Sequence, residues 1–439
     1  MVQSPARRLI PESTLNARLT IGGIVDVTTG GDGVADDTTA VAAALAGISA
    51  FGGGTVRLSR PHVVSAITIP ERVTLQGNGS GKLIHKSGSA ASAVTLAGGG
   101  STMRDLEVDG NAAGQTVATM VPVVARGVRT LIENCYVHDA KWDGIAIGSG
   151  SNHRISGCTV IGTGRFGITI SATGVTPTTH CRIVENYVEA STAGALGIIA
   201  TAHYVSFVGN TTKNHGGDGI AAYNADNRRI TCIGNVFHNP GNHGIHLGGQ
   251  GLVIADNVAE NVGQGHGFFI QNDDLSTAYN AVIEGNTVEG VTIGEGIRVG
   301  ATRGVAITGN SVLNAERFSI HLTDCSDYTV GDNTLVVTAA QTAGAVGINL
   351  LASPRGTVTG NTIRGINGDA ILLNDNGGVF CQFVTITGNT ISTCAGWGLH
   401  SIELSNRILH GSNIYSACTA GAKSLVGANN VASGLDLAA

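Results

Sequence analysis

A short internal period constrains this chain more than any other feature. A five-residue block with Gly at its second position, as in Asp143-Gly144-Ile145-Ala146-Ile147 and Phe166-Gly167-Ile168-Thr169-Ile170, recurs almost to the C-terminus. Its Gly slot is filled by Gly144, Gly167, Gly197, Gly219, Gly244, Gly267, Gly296, Ser319, Gly347, Ala370 and Gly398, at spacings of 22 to 30 residues. A second block interleaves with it: an apolar residue, two spacers, Asn, one spacer, an apolar residue. Its Asn slot holds Cys135, Cys158, Asn186, Asn210, Asn235, Asn257, Asn286, Asn310, Asn333, Asn361 and Asn389.

A unit this short cannot be a domain, and its alternating apolar patterns are too short for helices, so each unit must bury its apolar face against its neighbours. The spacing predicts an all-β fold, a single-stranded parallel β-solenoid whose coils stack at ~4.8 Å. Ile145, Ile168, Ile220, Ile245, Phe268, Ile297, Ile320 and Ile348 would form an internal ladder. The Asn slot predicts a second ladder, with Asn in the left-handed backbone of a tight bend and its amide bonding from coil to coil. Cys135 and Cys158, in the same slot of successive units, read as stacked free thiols. Before the repeats, Asp36 or Asp37 is placed to cap a helix over 36–48 that carries Val41, Ala44, Leu45 and Ile48, and the Gly52-Gly53-Gly54 run ends it. A helix there would cover the open sheet edge of the first coil. The expected divisions are a capping segment at 1–54, the solenoid at 55–415, and a tail at 416–439 too apolar to be free, which caps the last coil or packs between subunits.

Composition excludes several classes. With 65 Gly and 8 Pro in 439 residues the chain falls well short of the ~25% Gly plus Pro of low-complexity sequences. A net charge of −6 without a basic run leaves no surface for neutralising a nucleic-acid backbone. No apolar stretch is long enough to span a membrane. Met1 to Leu19 carries Arg7, Arg8 and Arg18 with no apolar run, so no secretory signal peptide is visible. The eight dispersed cysteines have no zinc-like spacing and read as buried small hydrophobes.

Gly31-Asp32-Gly33-Val34-Ala35-Asp36-Asp37-Thr38, followed by the short helix and Gly52-Gly53-Gly54-Thr55-Val56, resembles the opening of the pectate-lyase-like superfamily of right-handed parallel β-helix proteins. That superfamily includes polysaccharide lyases, polygalacturonase-type hydrolases, alginate epimerases and phage tailspikes. The resemblance implies a right-handed coil and a working groove along the Gly-entrance strand. Just before the Gly slot of that strand stand Asp143, Phe166, Leu196, Asp218, His243, His266, Glu295 and Phe318; two residues after it stand Ala146, Thr169, Ile199, Ala221, His246, Phe269, Arg298 and His321. The polar members bunch between 218 and 321, and the loops leaving those strands add Tyr223, Asn272, Asp273 and Asp274. Gly265-His266-Gly267 resembles the Gly-His-Gly of polygalacturonase-type hydrolases, but Asn242-His243 stands where an Asp-Asp is expected. The alginate epimerases' Asp-Pro-His-Glu and the pectate lyases' Arg-x-Pro-x-x-Arg are missing.

These residues predict a polysaccharide-processing enzyme that cleaves an acidic glycan by hydrolysis or β-elimination. Under hydrolysis Asp218, Asp273 or Asp274 would serve as acid and base with His266 assisting; under elimination His243 or His266 would take the proton. Arg298, Glu295, His246, His321, Tyr223 and Asn272 are the expected substrate contacts. The alternative is a glycan-binding spike of a phage or phage-like particle, with a homotrimer as its expected assembly. Either role implies an extracellular or virion-associated location. No cofactor is required by these residues, with Ca2+ left open.

Overall fold

The computed structural model describes residues 17–20, 23–171, 176–271, 278–338, 341–376, 378–402, 405–427, 429–432, 434 and 436–438. It is an all-β parallel solenoid of about 15 turns. The α-helix Thr38–Ala50 buries Val41, Ala44, Leu45 and Ile48. Asp36 Oδ1 accepts the Thr38 N–H at 3.0 Å, while Asp37, at the capping position, turns its carboxylate to the Gly31 N–H at 2.8 Å and to His62 at 3.0 Å. The Gly-Asp-Gly stretch is thus a folded turn, closed by Asp32 Oδ1 accepting the Val34 and Ala35 N–H groups.

Two compact units make up the chain, 1–165 and 166–439. In the first, each coil lays down three short strands in register; Val94–Leu96, Val123–Ala125 and Ile145–Ile147 stack in parallel on the Gly-entrance side. Cys135 and Cys158 form no disulfide, and each donates its thiol to main-chain carbonyls. Asp143 is buried and accepts from both Nε and Nη2 of Arg165, whose guanidinium lies over Trp142.

In the second unit the Gly-entrance strands Ile220–Ala222, Ile245–Leu247, Phe268–Ile270, Ile297–Gly300 and Phe318–Thr323 pair in parallel. Ile220, Ile245, Phe268, Ile297 and Ile320 share one register and are fully buried, as do Ile348, Ile371 and Leu399 beyond them. Glycine recurs at the slot because coils approach there: a Cβ on Gly267 would stand 2.4 Å from the Gly296 carbonyl and from Val288 Cγ1.

The coil around 197 corrects the sequence register. Leu196 pairs with Ile220, and Phe166 with Gly194, so Ala195 fills the Gly slot rather than Gly197. Leu196 therefore points into the core, and the outward positions are Gly194 and Gly197, across which the Phe166 ring lies.

The Asn ladder is present, with a different backbone cause. The left-handed residue is the one before each Asn, namely Glu185, Gly209, Gly234, Asp256, Gly285, Gly309, Asp332, Gly360, Gly388 and Ser412. From Asn186 onward each Asn donates its backbone N–H and its side-chain amide to Oδ1 of the Asn one coil later; Asn286, for example, donates both to Asn310 at 3.0 and 2.9 Å. Most amides also reach back to a carbonyl, as Asn286 Nδ2 does to Ile254 O at 2.9 Å. The ladder runs past Asn389 to Asn413 and ends on Asp436 Oδ1. Correspondingly, the 416–439 tail continues the coils: Gly421–Leu425, Val431–Ala432 and Leu437–Ala438 pair in parallel with the preceding turn.

Candidate functional site

The register of the second unit sets the site. Asp218, His243, His266 and Glu295 follow one another on successive coils, two residues before the buried ladder; Ala221, His246, Phe269, Arg298 and His321 follow one residue after it. Both rows face away from the core, so side chains far apart in sequence become neighbours at strand spacing. His243 lies 5.0 Å from His246 and 5.1 Å from both His266 and Phe269, centroid to centroid; Tyr223 stacks on His246 at 4.5 Å. Asn272, Asp273 and Asp274 lie outside the described residues.

Hydrogen bonds across the coils fix these rings. The His266 N–H donates to His243 Nδ1 at 2.8 Å, and the Glu295 N–H donates to His266 Nδ1 at 3.0 Å. A neutral imidazole whose Nδ1 accepts carries its proton on Nε2. While neutral, His243 and His266 are thus held as Nε2–H donors. Burial pushes His243 down to about 2, and pushes His266 down to about 4 against the opposing pull of the Glu295 carboxylate. His246 is likewise pushed down to about 4, by burial first. All three are neutral at physiological pH.

The two carboxylates behave in opposite ways. Burial raises Asp218 to about 6, against the pull of its hydrogen bonds from the His243 N–H and Asn242 Nδ2. Glu295 is also penalised by burial, but the hydrogen bond from His321 and the charges around it outweigh that and hold it below the usual carboxylate range. Its Oε1 accepts from His321 Nδ1 at 3.0 Å, and His321 Nε2 in turn faces Thr323 Oγ1 at 3.0 Å. Glu295 Oε2 lies 3.6 Å from Arg298 Nη1 and 3.1 Å from His266 Nδ1 but has no hydrogen-bond donor, because that nitrogen is already an acceptor. Glu295 is 1% exposed and Asp218 8%.

Among the charged groups of the cluster Arg298 reaches solvent most. The Arg298 side chain is 30% exposed and its guanidinium sits 5.5 Å over Phe269. Arg317, exposed and over Phe318, is a neighbour that the slot pattern does not single out, since it precedes the repeat block; Asn242, which ties Asp218 down, escaped it for the same reason.

The arrangement of coils identifies the fold. It is a right-handed parallel β-helix. The family model for a right handed beta helix region matches residues 73–231, and the model for a periplasmic copper-binding protein (NosD) matches 276–431. No curated protein matches the chain. Among solved structures, a tailspike protein of E. coli bacteriophage HK620 is 11% identical at TM-score 0.58, over 91% of this chain and 77% of that one. A further structure of that tailspike, in complex with a pentasaccharide, is 12% identical at TM-score 0.50 with the same coverage, 91% and 77%. PfbA, a surface adhesin of Streptococcus pneumoniae, is 16% identical at TM-score 0.56, over 80% of this chain and 92% of that one.

Among the described residues the one set of three side chains with metal-ligand spacing is Asp109, His138 and Asp139, outside the 276–431 match, and Lys82 Nζ stands 3.2 Å from Asp109. An ammonium there already supplies the positive charge. No described helix is long and apolar enough to cross a membrane.

Proposed function

We propose that the 218–321 stripe binds a polysaccharide chain rich in hydrogen-bond acceptors, an acidic glycan above all. One observation carries this reading: on adjacent coils the Glu295 carboxylate is sunk beneath the rings, while the Arg298 guanidinium, the His266 ring and the aromatic faces of Tyr223 and Phe269 are partly open to solvent. Sugars present hydroxyl and carboxylate acceptors on their edges and C–H faces to aromatic rings, which is what such a surface meets. The pentasaccharide held by the HK620 tailspike, a protein of the same fold, is consistent with it, and a spike or surface protein of an extracellular or virion setting is the corresponding role.

Cleavage is a second reading, favoured by Asp218, a carboxyl that keeps its proton to about pH 6 and could serve as a general acid. Inverting hydrolysis needs a second carboxylate within ~9.5 Å. Glu295, three coils on and so about 14 Å away at strand spacing, does not meet that need. The described residues therefore favour binding over hydrolysis. Incubation with a polysaccharide panel decides between them: retention of one glycan, weakened at least tenfold by Arg298→Ala, without new reducing ends or unsaturated products, is the expected result. Turnover would move the assignment to cleavage; equal retention by the variant would remove the stripe as the binding surface.

A further inference from the structure

The pairing of a carboxylate with the imidazole one coil later and three residues further along the strand recurs three times in the second unit. Asp218 and His246 approach to 3.8 Å, Glu295 and His321 to 3.0 Å, and Asp369 and His400 to 2.7 Å. The third pair lies beyond the stripe described above. His400 continues the row of His321, through Asn349 and Leu372, and Asp369 with Trp397 continues the row of Glu295 and Phe318.

The local geometry there differs from that of His243 and His266. Asp369 Oδ1 accepts the Trp397 N–H at 2.7 Å, and its Oδ2 lies 2.7 Å from His400 Nδ1. A carboxylate can only accept, so His400 carries a proton on Nδ1, and its neutral form presents an Nε2 lone pair. No described residue bonds that nitrogen, and the side chain is 24% exposed. Beside it, 6.2 Å away, is the Trp397 indole, half-buried and laid over the bare backbone of the next coil, where a Cβ on Gly421 would stand 2.6 Å from Cζ3. An oriented acceptor next to a supported aromatic face is a combination that a solvated surface does not require. On the coil between the two pairs, Asn349 Oδ1 is a buried acceptor without a donor.

We infer that Trp397 and the Asp369-oriented His400 form a second saccharide subsite, in which one pyranose ring stacks on the indole and donates a hydroxyl hydrogen to His400 Nε2. It deepens the polysaccharide reading, since the subsite lies on the same outward rows, three coils or ~14 Å past His321. Stacking supplies affinity and the single acceptor fixes the ring's orientation.

Trp142 and Trp397 are the two tryptophans of the chain, so Trp142→Phe leaves Trp397 as its sole indole reporter. In that background the emission is titrated with a panel of tetrasaccharides, namely cello-, manno-, N-acetylchito-, galacturono- and mannuronotetraose. A saturable change with at least one of them is expected, weakened at least tenfold by His400→Ala and partly restored by His400→Gln, whose amide oxygen can accept. No saturable change with any probe, or a titration that His400→Ala leaves intact, overturns the subsite. Far-UV circular dichroism and the melting midpoint of each variant are read alongside, and His400→Phe, which keeps a ring but cannot accept, stands in for the loss if the alanine variant does not fold. Arg298→Ala separates the two proposals: it should weaken polysaccharide retention and leave the Trp397 titration unchanged.

Discussion

Asp218 and His246 lie within 3.8 Å of each other and draw opposite pH dependences from the same burial. Asp218 ionises near 6 in the fold and near 3.8 in the unfolded chain, so the fold holds its proton longer. Its contribution is harmless below pH 3.8, becomes destabilising as pH rises toward 6, and is complete above that. Asp218→Asn keeps an Oδ1 that can accept from both Asn242 and His243, and should therefore stabilise the protein by about 1–3 kcal/mol at pH 7.5 while changing little near pH 4, as read from urea midpoints. His246 runs the other way. Its folded value is about 4 against 6.5 unfolded, so the stability it permits is complete above pH 6.5 and lost as pH falls toward 4. His246→Phe, which keeps the stack on Tyr223 and Phe269, should flatten the acid side of the stability profile by about 2–3 kcal/mol between pH 7.5 and 4.5. A variant with the wild-type slope would show that the ring is solvated.

Single coils are held by their ladders, and the Asn ladder makes the sharper prediction. Asn286→Ala would leave the Asn257 N–H and amide without their acceptor and the Ile254 carbonyl without its donor, all in the interior. The cost should be about 3–5 kcal/mol in chemical denaturation. Asn286→Asp should fare no better, because it retains the acceptor but cannot donate and buries a charge. The ladders were legible in the sequence because they repeat at the coil period, and one coil suffices to recognise the next. The register near 197 was not: Gly194-Ala195-Leu196-Gly197 offers two small residues flanking an apolar one, and only the pairing of Leu196 with Ile220 selects Ala195 for the slot. The membership of the site was readable from slot positions, yet its chemistry was not. Whether an imidazole gives or takes a proton depends on which backbone N–H of the following coil meets its Nδ1, and that is a contact between coils with no trace in residue order.

At the level of the whole molecule, the absence of a disulfide among the eight cysteines, seven of them buried, predicts that reductant leaves the thermal midpoint unchanged within about 1 °C; a fall of several degrees would reveal a disulfide. Light scattering bears on the spike role, for which a homotrimer is the expected assembly. The solenoid carries one more instruction in its amide column. Every Asn passes hydrogen atoms forward to the coil after it, so each coil needs a successor that can receive them. Asp436 receives without passing anything on, and its second oxygen is neutralised by Lys423 at 2.8 Å. A whole repeat could therefore be duplicated or excised between Asn186 and Asn413 without breaking the column, because each Asn meets an identical acceptor on the coil after it.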